Sequence, residues 1–475
     1  MSPLRGSSEH GGGTPRLPRA TPDRVSSRAA GKWSRISSTA LSVLSSPSRR
    51  VVSAGAGILI CALLAWGLPR AVNKMLNDYP WDGFVDWTSA QSFWANENPY
   101  DAAVMARHDT ARFGGVGHPP TTAFWFLPFA TLSLNGMSTA LGIIVLGMLF
   151  VQLLIICREL ALPRPLLFAS TWYALTVPTP WFFWHVSLAQ VSVPIAFFVV
   201  IAWYFLRHGK DVWAGASLGL AASFKLFPGV LMLFLLATGR VRAFAASAIA
   251  FGAIAAIMTA RFGFDAWFMF FEQQGDIGRQ WIGHVRNRSF HGIVLRLVTP
   301  EAPSTVPASF KVSVVVSVIS VMSLALALYF VRRRGREPVT FDLSFALLCC
   351  LSVFFNVWVW EHYYALLLLP GAIVAVACVR ADQLGMSRVA RPIMMVLLFL
   401  LFIDVETTDV GRLVTLSSRI PNLTPLQHVE LHLRELTNAL PWPSFAALCF
   451  GLLLWFDRKD RRSTRSGWTS SAGAS

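Results

Sequence analysis

Charged residues are scarce in this sequence, and their scarcity argues against a soluble protein. Only 14% of the 475 residues are Asp, Glu, Lys or Arg, whereas 54% are hydrophobic, and the mean hydropathy is +0.52. A soluble protein of this size has a mean hydropathy near or below zero. Repeated apolar runs of about 18 residues or more instead predict an all-α polytopic integral membrane protein.

Motifs of several other protein classes are also missing. The sequence contains no Walker motif, no dinucleotide-binding fingerprint and no Ser-His-Asp arrangement. Its six cysteines lie in or beside apolar runs without the spacing of metal ligands, so they are interpreted as small core residues. No basic stripe with interleaved aromatics occurs outside the apolar segments, and nucleic acid is therefore not an expected partner.

The distribution of basic residues predicts the domains and their topology. Residues 1–50 are expected to form a disordered basic cytoplasmic tail, residues 51–456 the membrane domain, and residues 457–475 a second basic tail. Short basic loops mark the cytoplasmic side of the membrane domain. The long loops at 70–118 and 262–309 then fall on the far side, where short amphipathic helices with aromatics are expected to contact membrane lipids.

The apolar runs predict about 10–13 membrane helices. Two apolar stretches are irregular: 119–134 is expected to be re-entrant or interfacial, and 212–238 to be two half-helices that meet at Lys225–Pro228. The regular candidate spans are 51–69, 136–157, 166–181, 188–206, 243–261, 310–331, 341–359, 362–379, 391–407 and 441–456.

Acidic residues first cluster outside the tail in the loop after the first span. Asp82 and Asp86 are four residues apart, so a helix would place them on one face. A carboxylate at the boundary of water and lipid can remove a proton from an acceptor hydroxyl. A solvated acidic loop is the alternative interpretation.

Basic residues occur at two places that membrane proteins usually keep free of them. Lys225 interrupts an apolar stretch, where an ammonium is costly and suits a phosphate ligand, although a side chain that reaches the interface is the alternative. Arg279, Arg286 and Arg288 lie in a predicted far-side loop. They are expected to bind an anionic partner, either a substrate phosphate or lipid headgroups.

A Glu-His pair, Glu361-His362, lies where two predicted spans meet on the far side. It is expected to orient or neutralise a phosphate, or to contact a sugar. The neighbouring Trp360 either stacks on a sugar face or belongs to the aromatic belt of the membrane interface. Further candidates for substrate binding are His118, Gln190, Asn287 and His291.

Taken in order, the short motifs resemble the GT-C superfamily of polyprenyl-phosphate-sugar-dependent glycosyltransferases over about residues 70–375. The match is nearest to glycosyltransferase family 87, which includes actinobacterial mannosyltransferases and arabinofuranosyltransferases. An acidic loop follows the first span in that family, as it does here. The family's Tyr-Pro-Pro, Gly-Gln, Lys-x-x-Pro, Asn-x-Ser and Trp-x-His-Tyr motifs are here His118-Pro119-Pro120, Ala189-Gln190, Lys225-Leu226-Phe227-Pro228, Asn287-Arg288-Ser289 and Trp360-Glu361-His362-Tyr363.

This resemblance implies a GT-C-like helical bundle and a reaction. A hexose would move from a polyprenyl-phosphate donor to a lipid-linked or glycan acceptor at the extracytoplasmic face of the cell membrane, with inversion of the anomeric carbon. The family makes mannose the expected sugar. Asp86 would be the general base, with Asp82 as the second choice. The donor phosphate would be bound by Lys225, Arg279, Arg286, Arg288 and His362. Tyr100, in the segment Asn98-Pro99-Tyr100-Asp101 that resembles the family's Gly-x-Pro-Tyr-Asp element, would contact the substrate.

Neither a cofactor nor a metal is expected, because the basic residues can neutralise the departing phosphate. Two alternatives remain: an arabinofuranosyltransferase of the same fold, and a transporter or flippase of a lipid-linked sugar, which predicts inverted repeats and charges along a midplane path. A non-catalytic partner with the same fold would keep Asp86 outside any cavity. An enzyme instead requires Asp86, Lys225 and His362 to converge on one pocket.

Overall fold

The structure, a computed structural model, describes residues 46–284, 287–298, 310–335 and 338–383, together with residues 447, 449 and 451. The chain divides into two units, 1–53 and 54–475, and nearly all of the described residues belong to the second unit. The predicted tails and the predicted span at 391–407 lie almost wholly outside the described residues, as does most of 441–456.

The described part of the chain is helical and contains no strand, which confirms the predicted fold class. Short 3-10 turns cover Thr110–Phe113, Leu127–Phe129, Phe227–Gly229 and Glu361–Leu367. The α-helices are α1 (Ser46–Asn77), α2 (Trp81–Ala95), α3 (Ala102–Arg107), α4 (Thr122–Phe126), α5 (Leu134–Glu159), α6 (Pro165–Thr176), α7 (Pro180–Ser187), α8 (Ser192–Arg207), α9 (Asp211–Phe224), α10 (Val230–Ala237), α11 (Val241–Phe262), α12 (Asp265–Trp281), α13 (Phe290–Val298), α14 (Phe310–Arg334), α15 (Pro338–Phe354) and α16 (Leu368–Gln383).

Four helices among the described residues are long and apolar enough to cross a membrane. They have 22 to 26 residues, and at about 1.5 Å per residue each exceeds the roughly 30 Å of a bilayer's hydrocarbon core. The pair α7 and α8 also passes when taken as one span, although the two helices are bent by 109°. The four long spans are Ala54–Asn77, Leu134–Glu159, Val241–Phe262 and Lys311–Arg333.

The number of full-length spans in the described residues is smaller than the sequence predicted there. The apolar runs at 166–181 and 188–206 form helices of 12 and 16 residues, because Pro178 and Pro180 interrupt the chain between them. The runs at 341–359 and 362–379 likewise form shorter helices that are largely buried. Short or broken helices are tolerated at membrane depth when protein rather than lipid surrounds them.

The two irregular stretches form short elements, as predicted. In 119–134, the five-residue α4 and a 3-10 turn are too short to cross a membrane. In 212–238, α9 ends at Phe224, Lys225 is extended with φ −151° and ψ 145°, and α10 begins at Val230. The helix break at Lys225 is therefore confirmed.

Helix α9 packs against α11 at a very close crossing. A Cβ added at Gly215 would lie 1.9 Å from the carbonyl oxygen of Ala243, and one at Gly219 would lie 2.4 Å from that of Ser247. The two glycines are four residues apart, which is the small-residue spacing that lets membrane helices approach closely. This crossing fixes α9 and hence the position of Lys225 at its end.

Helix α12 has two different faces. Its glutamines hold the loop between α3 and α4: Gln273 accepts from the Val116 N–H at 3.2 Å, and Gln274 donates to the Gly117 carbonyl at 2.9 Å. The opposite face carries exposed aromatics, Phe264, Phe268 and Phe271. The amphipathic character expected of this loop is therefore present, with polar side chains turned toward protein.

Candidate functional site

Helix α2 presents the two candidate carboxylates on one face. The helix begins directly after Pro80, and its N-terminus is pressed against the turn that joins α7 to α8. There the Gly83 N–H donates to the Leu188 carbonyl at 3.0 Å, and a Cβ on Gly83 would lie 2.5 Å from the Cβ of Ala189. Only glycine permits this approach, which brings Asp82 to the turn.

Asp86 is buried and forms a pair with His118. Its two carboxylate oxygens lie 2.8 and 2.9 Å from the Nδ1 atom of the imidazole. The side chain of Asp86 is 3% exposed, against 17% for His118. The Tyr100 hydroxyl donates to the His118 carbonyl at 2.5 Å, so Tyr100 fixes the backbone that carries the imidazole.

Asp82 and Lys225 are joined through one amide. The Gln190 Nε2 atom donates to the Asp82 carboxylate, and its Oε1 atom accepts from the Lys225 ammonium at 3.2 Å. Ala189 precedes Gln190 with φ +52°, a left-handed conformation that glycine adopts more readily. This backbone conformation explains why the motif that the turn resembles has a glycine before the glutamine.

Burial raises the pKa of the Asp82 carboxyl above its ordinary value of 3.8. The positive fields of His118 and Lys225 and the hydrogen bond from Gln190 oppose this rise, whereas the negative charge of Asp86 adds to it. The carboxylates therefore share a site whose positive groups come from other segments.

Lys225 is buried between the ends of two half-helices. Its ammonium donates to the Tyr363 hydroxyl at 3.1 Å and lies 4.8 Å from the centre of that ring. The Thr122 hydroxyl donates to the Phe224 carbonyl at 2.6 Å, so the segment around α4 caps the end of α9. An ammonium at the C-terminal end of a helix also agrees with the helix dipole.

Two buried histidines lie beside Lys225. His362 stacks on Tyr363 with ring centroids 4.9 Å apart, and the ring of His185 is 6.5 Å away from that of His362. His362 interacts electrostatically with Lys225, His185 and His118. His185 is not among the residues predicted from the sequence; a histidine inside the otherwise apolar helix α7 was the available signal.

Arg288 and Glu361 form a buried ion pair. The guanidinium lies 3.1 Å from a Glu361 carboxylate oxygen, and the two side chains are 4% and 5% exposed. The backbone N–H of Arg288 also donates to the Val359 carbonyl at 2.7 Å. Glu361 thus neutralises a positive charge that was predicted from the sequence to bind a phosphate.

The side-chain amide of Asn287 is hydrogen-bonded to the protein backbone. It donates to the carbonyls of Ile282 and Val357, and its oxygen accepts from the N–H groups of Ser289 and Val359, all at 2.9–3.1 Å. In this structure the side chain therefore clamps the loop after α12 to the segment before Glu361.

The remaining candidates lie further out or outside the described parts of the chain. His291 is 3.0 Å from the Ser313 hydroxyl of α14, and Trp360 packs on Trp281 with ring centroids 5.9 Å apart. Arg286 lies outside the described residues, and of Arg279 only the backbone, within α12, is described.

One connected cluster results, with two chemically different sides. A carboxylate side holds Asp82, Asp86 and His118, and a cationic side holds Lys225 with His362 nearby. Such an arrangement can take a proton from one reactant and stabilise negative charge on another. Within the described residues, no three His, Cys, Asp or Glu side chains are grouped as metal ligands.

Comparison with known proteins is consistent with this chemistry. The sequence model of glycosyltransferase family 87 matches residues 117–357, just over half of the chain. The match includes His118, Gln190 and Lys225, whereas Asp86 and His362 lie outside it. No curated protein and no solved structure matches the chain. Because the match covers more than half of the sequence, the chain belongs to glycosyltransferase family 87 and is a membrane glycosyltransferase.

Proposed function

We propose that this glycosyltransferase moves a hexose, with mannose as the first choice, from a polyprenyl-phosphate donor to a lipid-linked or glycan acceptor. The reaction takes place at the extracytoplasmic face of the membrane and inverts the anomeric carbon. The observation that carries the proposal is the hydrogen-bonded connection from Asp82 through Gln190 to Lys225, next to the Asp86–His118 pair.

The two sides of the cluster match the two charges that change in such a reaction. At the Asp86–His118 pair, the acceptor hydroxyl loses its proton while its oxygen bonds to the anomeric carbon. The bond from that carbon to the phosphate oxygen breaks, and its electron pair stays on the phosphate. The ammonium of Lys225 stabilises this new negative charge, and His362 lies on the same side.

The location of the basic helix ends supports the extracytoplasmic face. Helix α8 runs from the site at Gln190 to Arg207, and α9 runs back from Lys210 to Lys225, so the basic loop is at the end remote from the site. At that end Arg207 bridges Glu159 and Asp342. Basic ends of this kind face the cytoplasm in most membrane proteins.

Transfer of radiolabel by membranes that contain the protein tests the proposal. Polyprenyl-phosphate mannose and polyprenyl-phosphate arabinofuranose are supplied separately as labelled donors. The wild type should transfer mannose, and Asp86→Ala should lose about 10²–10⁴-fold in rate, the usual contribution of a general base. Equal transfer by both proteins would remove Asp86 from the proton-accepting pair, and label arriving only from arabinofuranose would change the sugar.

A further inference from the structure

The carboxylate of Asp86 is poorly placed to touch a substrate. Both of its oxygens face the Nδ1 atom of His118 at 2.8 and 2.9 Å, and its side chain is 3% exposed. A general base must come within about 2.6–3.2 Å of the hydroxyl whose proton it takes. The two oxygens of Asp86 therefore already share a hydrogen-bond partner, and little of the side chain is open to an acceptor.

His118 is the more exposed member of the pair, with 17% of its side chain exposed against 3% for Asp86. When Nδ1 donates to Asp86, the Nε2 atom of the neutral ring carries the free electron pair. Nε2 has no hydrogen-bond partner within the described ranges. It also differs from the unpartnered polar atoms there that are fully enclosed by protein, because it is not among them. Nε2 is therefore the basic atom of this pair that a hydroxyl can approach.

The backbone around His118 is held from several directions. Tyr100 donates to the His118 carbonyl and Gln274 to the Gly117 carbonyl, while Pro119 and Pro120 restrict the chain that follows. A catalytic side chain must be held within a few tenths of an ångström of its working position. The contacts here hold the imidazole in that way before any substrate arrives.

The ionisable groups around the imidazole come from four segments. Asp82 and Asp86 lie on α2, and His362 lies in the 3-10 turn before α16; His118 interacts electrostatically with Asp82 and with His362. Lys225, at the end of α9, interacts with the same two residues. The hydroxyl of Tyr100 contacts the backbone carbonyl of His118.

We propose that the Nε2 atom of His118 accepts the proton of the acceptor hydroxyl, and that Asp86 is a positioning residue that fixes the tautomer of the ring. This inference rests on the proposed function and names the atom that performs one of its steps. The hydroxyl proton moves to Nε2, the hydroxyl oxygen bonds to the anomeric carbon, and the sugar–phosphate bond breaks with its electrons on the phosphate. The imidazolium then releases its proton to solvent, which restores the starting state.

The assignment distinguishes this chain from the motif that it resembles. The Tyr-Pro-Pro motif has a tyrosine where this chain has His118. A phenol has a pKa near 10 and is a poor proton acceptor at neutral pH. The imidazole of His118 is a stronger base than a phenol, and it lies beside the Asp86 carboxylate.

Steady-state kinetics of the purified full-length protein test the inference. The variants are His118→Asn, which keeps an N–H near the position of Nδ1 but has no base, and Asp86→Asn, which cannot hold the Nδ1–H tautomer. Both should lose about 10²–10⁴-fold in kcat for labelled polyprenyl-phosphate mannose, with little change in KM for the donor and in apparent Tm. His118→Gly should regain at least about tenfold in rate when excess imidazole is added, because the added ring can replace the lost base.

The outcomes separate this inference from the proposed function. If His118→Asn keeps kcat within about threefold of the wild type while Asp86→Asn is inactive, Asp86 takes the proton directly and the inference is wrong, although the function stands. Failure of imidazole to restore any activity to His118→Gly would overturn it as well. If the wild type transfers no sugar from either labelled donor, the proposed function fails and the inference falls with it.

Discussion

Asp82 is the residue at which function and stability are most clearly opposed. It is half-buried beside a second carboxylate, and burial raises its pKa. A carboxyl group whose pKa is higher in the folded state than in the unfolded chain opposes folding once it ionises. That cost is absent at low pH and appears as the pH rises through the ordinary carboxyl value of 3.8.

Asp82→Asn should therefore raise the apparent Tm at pH 7, and the gain should shrink as the pH falls through the raised pKa of Asp82 toward 3.8, where the wild-type carboxyl is protonated in both states. The Asn oxygen can still accept from Gln190. Thermal unfolding of the purified protein between pH 3.5 and 8 measures the effect. The control is Asp265→Asn, whose side chain is exposed at the start of α12 and should show no such gain. A lower Tm for Asp82→Asn at pH 7 would contradict the prediction.

At the scale of elements, the helix break at Lys225 is the feature that assembles the site. Its sequence signal is strong, because a lysine and a Pro-Gly pair inside an apolar stretch leave few alternatives to two half-helices. What the sequence does not specify is where that break points. The direction is set by the crossing of α9 and α11, in which Gly215 and Gly219 let the two backbones approach each other.

Gly215→Ala should separate α9 from α11, since its Cβ would lie 1.9 Å from the Ala243 carbonyl oxygen. We expect a lower apparent Tm and weaker transferase activity, because Lys225 moves with α9. The matched control is Gly252→Ala in α11, which has nothing within 4 Å of its Cβ and should gain about 0.5–1 kcal/mol from better helix propensity. Equal Tm changes in both variants would show that the crossing is looser than described.

At the scale of the whole molecule, segments far apart in sequence are tied together by buried polar contacts. The Arg288–Glu361 pair and the four hydrogen bonds of Asn287 join the loop after α12 to the segment before α16. Removing one partner of a buried ion pair usually costs about 3–5 kcal/mol, because the other charge stays buried without compensation. The pair therefore acts on the stability of the whole bundle.

Arg288→Met should lower the apparent Tm markedly, and the double variant Arg288→Met/Glu361→Gln should recover part of the loss, because no buried charge is left alone. The partly exposed pair Lys74–Asp78, with an N–O distance of 2.8 Å, provides the control. Lys74→Met should change the stability by less than about 1 kcal/mol. Should Arg288→Met behave like Lys74→Met in thermal unfolding, the buried pair contributes nothing.

The class of the fold and part of the site could be predicted from composition and local pattern. Hydropathy indicates apolar helices, but it does not distinguish a helix that faces lipid from one enclosed by protein, so the full-length spans were too many. The pairing of Asp86 with His118 spans 32 residues and depends on packing that no local pattern encodes. The same holds for Asn287 and Arg288, whose partners lie about 70 residues further along the chain.

The two hydrogen bonds of Lys225 have a consequence for biosynthesis. Gln190 precedes the lysine by 35 residues, whereas Tyr363 follows it by 138. At about 5–20 residues per second, ribosomes need roughly 7–28 s to reach the tyrosine after the lysine. During that interval the inserted nascent chain holds an ammonium among apolar helices with only one of its two final partners. The site is therefore completed only after most of the chain has been synthesised.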